Sequence, residues 1–142
     1  MSFIPVEYAF EALLKSKATI VSAVSTRIFI MPPGIPRDFP VSASLDFMVL
    51  PGLTNADGNP FEESRILLRH WAGSVAAVRV LEGLVSDAIH GVTNQTVTVS
   101  AVNYKIMSVL KESSGQAMQA PDNKKWGYSA AYYNFAYGTR AL

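Results

Sequence analysis

Few side chains in this 142-residue chain could carry chemistry. There are two histidines, His70 and His90, and no cysteine, so disulfides, thiolate nucleophiles and Cys-ligated zinc are not available to it. The histidines fall on different elements, with no carboxylate at a metal-ligand spacing from either. His70 is expected as a strand residue at a sheet or subunit surface. His90 is expected at a helix C-terminus, where partial positive charge is favourable. Asn55-Ala56-Asp57-Gly58-Asn59 has the composition of a calcium loop, but its glycine comes two positions early for an EF-hand and no helices flank it. Glu62-Glu63 and the Glu7/Glu11 pair are neighbours by sequence, expected as solvated or capping groups rather than a general acid–base pair. Lys124-Lys125-Trp126 combines basic and aromatic character, yet two lysines are weak support for a nucleic-acid contact, and a protein contact at a loop tip is the better expectation. No Gly-x-Ser-x-Gly elbow, phosphate-binding loop or His-Glu-x-x-His occurs. No enzyme, catalytic residue, cofactor or metal is expected.

The elements that must position these residues are organised around Glu63–Gly91, a strand followed by an apolar helix. Over Ser74–His90, Val78, Leu81, Val85, Ala88 and Ile89 recur at the spacing that lays one helix face on a sheet. Ser74 suits the helix start and Gly91 the stop. Val80 and Leu84 widen the apolar stripe to more than half the girth, which leaves a second side for a neighbouring subunit to cover. Ahead of this unit, Pro5 suits a first helical turn. Val6, Phe10, Leu13 and Ile20, broadened by Ala9 and Leu14, give a leading helix, with Ser16–Thr19 marking a break between two short helices. Arg27–Met31 reads as a short strand or the extended exit from the helix, and Pro32, Pro33, Gly34, Pro36 and Pro40 as a stiff loop. From Val41 to Leu50 the period changes to two: Ala43, Leu45, Phe47 and Val49 inward, Ser42, Ser44 and Asp46 outward, a half-buried strand. Pro51–Glu62 reads as a polar loop. In Ser64–Ala72, Ile66, Leu68 and His70 alternate with Arg65, Leu67, Arg69 and Trp71.

Beyond the helix, Thr96–Leu110 is extended, with a slip of parity near Ala101 that predicts a bulge or bend. Lys111–Gly127 reads as a long hairpin loop. The closing strand places Ala131, Tyr133, Phe135 and Tyr137 on one face and Tyr132, Asn134 and Ala136 on the other. Tyr132 and Asn134, with Arg65 and Arg69, are candidates for a subunit interface, where a ring packs while its hydroxyl finds a partner. The two polar loops are long for connections within a compact domain. Together these elements predict an α+β fold, mostly antiparallel, with one main helix on the sheet, a leading N-terminal helix and a long C-terminal hairpin, all in one domain over residues 1–142.

Composition narrows the function classes. Hydrophobic residues make up 49% and charged residues 16%, which excludes a disordered chain and leaves a surface short of solubilising groups, as in a protein that buries part of itself in an assembly. A net charge of +1 provides no broad basic field for nucleic acid or anionic lipid. No run approaches the roughly 20 apolar residues of a membrane helix. The Met1–Pro5 start lacks the layout of a signal peptide, so Asn94-Gln95-Thr96 is a chance sequon and assembly in the cytoplasm is expected.

Ala12-Leu13-Leu14-Lys15-Ser16-Lys17-Ala18-Thr19, then Val24-Ser25-Thr26-Arg27-Ile28-Phe29, Pro33-Gly34 and Phe39-Pro40 before a strand, resembles the opening of the tail-completion (tail-terminator) proteins of tailed bacteriophages. The strand and helix of Glu63–Gly91 and the aromatic hairpin of Val102–Thr139 continue the resemblance over nearly the whole chain. Ser25 stands where that family often has Gly, and the Pro-rich loop lacks its usual Gln. The resemblance implies a virion structural protein forming a ring, commonly of six copies, at the head-proximal end of the tail tube. Such a ring stops tube polymerisation and joins the tail to the neck of the capsid. The implied partners are further copies of the chain, the tail tube protein and a neck or head-completion protein. Genomic DNA passes only through the lumen, and no membrane is involved. Tube-facing or neck-facing contacts are then expected from Asn55, Asp57 and Asn59 and from Asp122, Lys124, Lys125 and Trp126. Two alternatives are a head-completion or neck protein of the same particle and a small cytosolic ligand-binding domain.

Overall fold

The computed structural model describes residues 4–30, 43–50, 61–120 and 123–142, with side chains left aside at 61, 120 and 123–125. The element order is α1 (Val6–Lys15), α2 (Ala18–Val24), β1 (Ile28–Ile30), β2 (Ser44–Leu50), β3 (Phe61–Ala72), α3 (Val75–Ile89), β4 (Thr93–Val99), β5 (Val102–Ser114), β6 (Met118–Ala120) and β7 (Asn123–Gly138). The strands form one sheet in the order β1-β2-β3-β7-β5-β4, with β6 pairing β7 off this path. Among the described residues only β1 and β2 pair in parallel, and every other pairing is antiparallel. The fold is α+β.

The spine is the β3–β7 ladder, paired residue for residue from Phe61↔Gly138 to Ala72↔Gly127. Alternation sends Ile66, Leu68 and His70 of β3 and Ala131, Tyr133, Phe135 and Tyr137 of β7 to one face, where all are buried. The helices lie on that face. Phe10 of α1 sets its ring edge-on between Phe47 of β2 and Phe135 of β7, with centroids 5.0 and 5.1 Å away. Val78, Leu81, Val85 and Ile89 of α3 close the other half of the core. The Ser74 hydroxyl caps α3 by accepting from the Ala77 N–H at 3.1 Å. The two ends of the described chain are tied together: the Ile4 N–H donates to the Thr139 carbonyl, and the Tyr137 hydroxyl donates to the Ile4 carbonyl at 3.0 Å.

Several expectations need correction. The parity slip near Ala101 is a tight hairpin turn, with positive φ at Ser100 and Ala101, joining β4 to β5. Lys111–Gly127 is largely strand rather than loop: β5 runs to Ser114, β6 follows, and β7 begins at Asn123. Low hydrophobicity misled there, because that part of the ladder gains its order from pairing with β7 rather than from burial. Glu62 belongs to β3, not to the preceding loop. β2 is buried on both faces at its start, with Ser44 and Asp46 covered as well as Leu45 and Phe47. His70 is buried beneath α3 rather than at a surface.

Candidate functional site

The sheet face opposite the helices gathers the four residues expected at a subunit interface. β3 and β7 bring them together because Arg65 pairs with Asn134 and Leu67 with Tyr132 across the ladder. The Arg65 guanidinium lies 4.8 Å from the centroid of the Tyr132 ring, and its Nε donates to Glu112 Oε2 on β5 at 2.7 Å. Two repeats of the pleat further along β3, Arg69 holds Asp46 of β2 through two parallel bonds. Nε donates to Oδ1 at 2.9 Å and Nη2 to Oδ2 at 2.7 Å. Trp71 Nε1 also donates to Asp46 Oδ1, at 3.3 Å, and the Trp71 ring stacks on Tyr128 at 4.9 Å. Arg65 and Arg69 therefore already have partners within the chain. What the face offers outward is a half-buried aromatic and amide surface framed by fixed charges, a form suited to packing against protein rather than to bond-making.

Asp46 and Glu112 were not singled out from sequence. A signal existed for Asp46: a lone carboxylate inside an alternating apolar strand needs a cation on a neighbouring strand. Glu112 carried none, since it lies in the stretch read as loop. Asn55, Asp57, Asn59 and Asp122 lie outside the described residues. So do the side chains of Lys124 and Lys125, whose backbone belongs to β7. Trp126 is half-buried on β7.

The helix-facing side holds one cluster with catalytic residue types. His70 Nδ1 lies 3.2 Å from the Ser129 carbonyl oxygen; a carbonyl can only accept, so Nδ1 carries the proton and Nε2 is left as an acceptor. Nε2 is buried and has no partner. The Ser129 hydroxyl, 3.5 Å from Nδ1, donates instead to Glu82 Oε1 on α3 at 3.2 Å. A nucleophile–base pair requires the imidazole to accept from the hydroxyl, and here the serine points its proton at a carboxylate. His70 and Ser129 are, moreover, shut off from solvent. Burial pushes the His70 pKa down to about 4, opposed by the bond to Ser129 and helped by the Lys111 charge. The neighbouring Tyr133 hydroxyl, held up to about 12 by burial, faces Ser86 without closing a hydrogen bond. His90 follows α3, where its Nδ1 accepts from the Lys111 N–H at 2.9 Å and secures the helix end to β5. Among the described residues no group of three His, Asp or Glu could hold a metal ion.

Among the described residues, open clefts flank the helices. One, of about 640 Å³, lies between Thr19 of α2 and Arg79, Leu84 and Asp87 of α3, beside Val80, which is 70% exposed. Another, of about 480 Å³, separates α1 at Tyr8 and Ala12 from Thr96–Val99 of β4. Among the described residues no helix is long and apolar enough to cross a membrane.

The chain matches no protein-family profile and no curated protein sequence. Its fold is similar to that of a chain in a solved structure, the virion of a native gene transfer agent (GTA) particle. The TM-score is 0.59 at 12% identity, over 93% of this chain and 92% of that one. At that identity the likeness is one of fold.

Proposed function

We propose that this chain is a structural protein of a phage-like virion, and within it the terminator of the tail. It forms a ring at the head-proximal end of the tail tube, ends tube polymerisation and joins the tail to the capsid neck. The observation that carries this reading is the fold likeness to a chain of the GTA virion over nearly the full length of both. The order of elements shared with tail-completion proteins supports the finer role. The site geometry supports a part without catalysis: Arg65 and Arg69 are committed to carboxylates, and the His70–Ser129–Glu82 cluster is closed and wrongly polarised for attack. A closed ring built head to tail needs two different patches on each subunit. We assign the subunit interface to the Tyr132, Asn134, Arg65 and Arg69 face, and the tube and neck contacts to Asn55–Asn59 and Asp122–Trp126. The partners are further copies, six in all, with the tube protein and a neck protein.

Electron microscopy of particles assembled without this chain tests the role. Filled heads beside unjoined, overlong or ragged tails are the expected result. Normal tails on leaking heads would move the protein to the neck, and intact infectious particles would overturn both assignments.

A further inference from the structure

A sheet open at both ends carries two edges, and among the described residues neither β1 nor β4 pairs with a further strand on its outer side. β4 is the edge strand at one side, and its sequence Thr-Asn-Gln-Thr-Val-Thr-Val contains no charge and no proline. Soluble proteins usually blunt such an edge with lysine, proline, a covering segment or a short strand, because its unpaired N–H and C=O groups template another strand. Asn94, at φ +52, kinks the start of β4, and the Gln95 side chain is held by Lys17 Nζ at 2.6 Å and donates to Ser16 Oγ at 3.0 Å, which leaves Thr96–Val99 as the regular open part. Beside it lies the cleft of about 480 Å³ whose far wall is α1, with Tyr8 51% exposed, Ala12, and the Glu11–Lys15 ion pair at its rim. A strand edge facing a helix across an open groove is the geometry in which an extended segment adds to a sheet.

The opposite edge supplies the matching segment. β1 is Ile-Phe-Ile, equally uncharged, and among the described residues its outer side pairs with no strand. Following directions across the sheet, β1 and β2 run one way, β3 the other, β7 back, β5 the other again, and β4 back. β1 and β4 therefore run in the same direction. A second copy in the same orientation would place its β1 parallel to β4 of the first, with helices on the same side in both. In that arrangement Ile28, 5% exposed in its own subunit's core, and half-buried Ile30 keep to the helix-bearing side, while Phe29, opposite Asp46 in the ladder, lies with Thr96 and Thr98 on the helix-free face.

We propose that the cleft between α1 and β4 receives the β1 edge of a second copy of this chain, so that the sheet continues head to tail from subunit to subunit. The proposal rests on the ring-forming role above and names the contact that builds it. Because the contact is heterologous, an open row of copies still presents one free β4 and one free β1 at its ends until the ring closes.

The absence of cysteine makes introduced thiols unique. Adjacent strands lie about 4.8 Å apart, within the roughly 4.4–6.8 Å that a disulfide spans between Cα atoms. Under mild oxidation the full-length double variant Phe29→Cys/Thr96→Cys should give a ladder of covalent multimers, and each single variant should stay uncrosslinked. Wild-type protein should form oligomers by native mass spectrometry, with amide exchange at Ile28–Ile30 and Thr96–Val99 slowed at least about tenfold relative to the monomer. Thr96→Cys dimers alone would mean that β4 pairs with itself and would overturn the proposal. An oligomer whose β1 and β4 amides exchange at the monomer rate would overturn this contact while leaving the ring in place. A chain that stays monomeric at every concentration and within assembled particles would overturn both. The exchange measurement needs no variant, so a misfolded Phe29→Cys protein does not remove the test.

Discussion

His70 lies on β3 with Nδ1 committed to the Ser129 carbonyl and Nε2 facing no partner under α3. A proton on Nε2 would create a buried charge with nothing to accept from it. The charged groups nearby are Lys111, which repels that charge, and Glu82, which already receives the Ser129 proton. The ring ionises near 6.5 when unfolded and only at about 4 when folded, so the unfolded chain binds more protons between those values. Stability from the neutral ring is therefore complete above pH 6.5 and is lost as the pH falls toward 4. At pH ~4.5 the loss amounts to about 2.5 kcal/mol relative to neutral pH. Urea unfolding at the two pH values checks this. Wild type should lose about that much more than His70→Gln, and equal losses would show that another group controls the acid transition. Alternation and register decide what sequence could and could not reveal about the opposite face of the sheet. Arg65, Arg69, Tyr132 and Asn134 could be grouped because period-two alternation places them on one face before any pairing is known. That Asp46 would neutralise Arg69 depended on the β2–β3 register, which nothing local dictates.

At the scale of elements, the β4–β5 hairpin shows where local chemistry and tertiary demand part. Positive φ at both Ser100 and Ala101 is the pattern of the tight turn that matches strand twist, and Asn-Gly is its usual signature. Ser-Ala gives no such signal, so the turn reads in sequence only as a change of parity. Residues with a Cβ in that conformation cost about 1 kcal/mol or more each relative to glycine. Ser100→Asn/Ala101→Gly is therefore expected to raise unfolding stability by about 1–2 kcal/mol without altering the register. Thermal and urea unfolding would show the gain, and an unchanged or lower midpoint would mean that neighbouring contacts already relieve the strain. The main helix was legible for the opposite reason: its apolar spacing, the Ser74 cap and the Gly91 stop all agree. Gly127 was legible only as part of a loop. In the structure it lets the first turn of α3 sit directly on β7, where a Cβ would come within 3.0 Å of Val75 backbone atoms. Close approach between elements far apart in sequence leaves no periodic trace.

For the whole molecule, the question is whether the N-terminal helices and the sheet form one unit, as the length and the absence of a linker-like stretch predict. Phe10 bears on it most directly, because its ring touches β2 and β7 together and so joins α1 to strands 37 and 125 residues away, at Phe47 and Phe135. The Ile4–Thr139 and Tyr137–Ile4 hydrogen bonds close the same circuit at the chain ends. With such couplings α1 gains little stability alone, since a ten-residue helix is marginal without tertiary packing. Phe10→Ala should then cost about 3–5 kcal/mol, spread over the entire structure rather than confined to α1. Far-UV circular dichroism weighs the helices, whereas the fluorescence of Trp71 and Trp126 reports on β3 and β7. In a single cooperative unit the two signals follow one transition in wild type, and both shift together in the variant. Loss of the helical signal ahead of the fluorescence change would instead divide the chain into a separable helical segment and a self-sufficient sheet. The α1 wall of the β4 cleft would then be a docked arm rather than a fixed part of the fold.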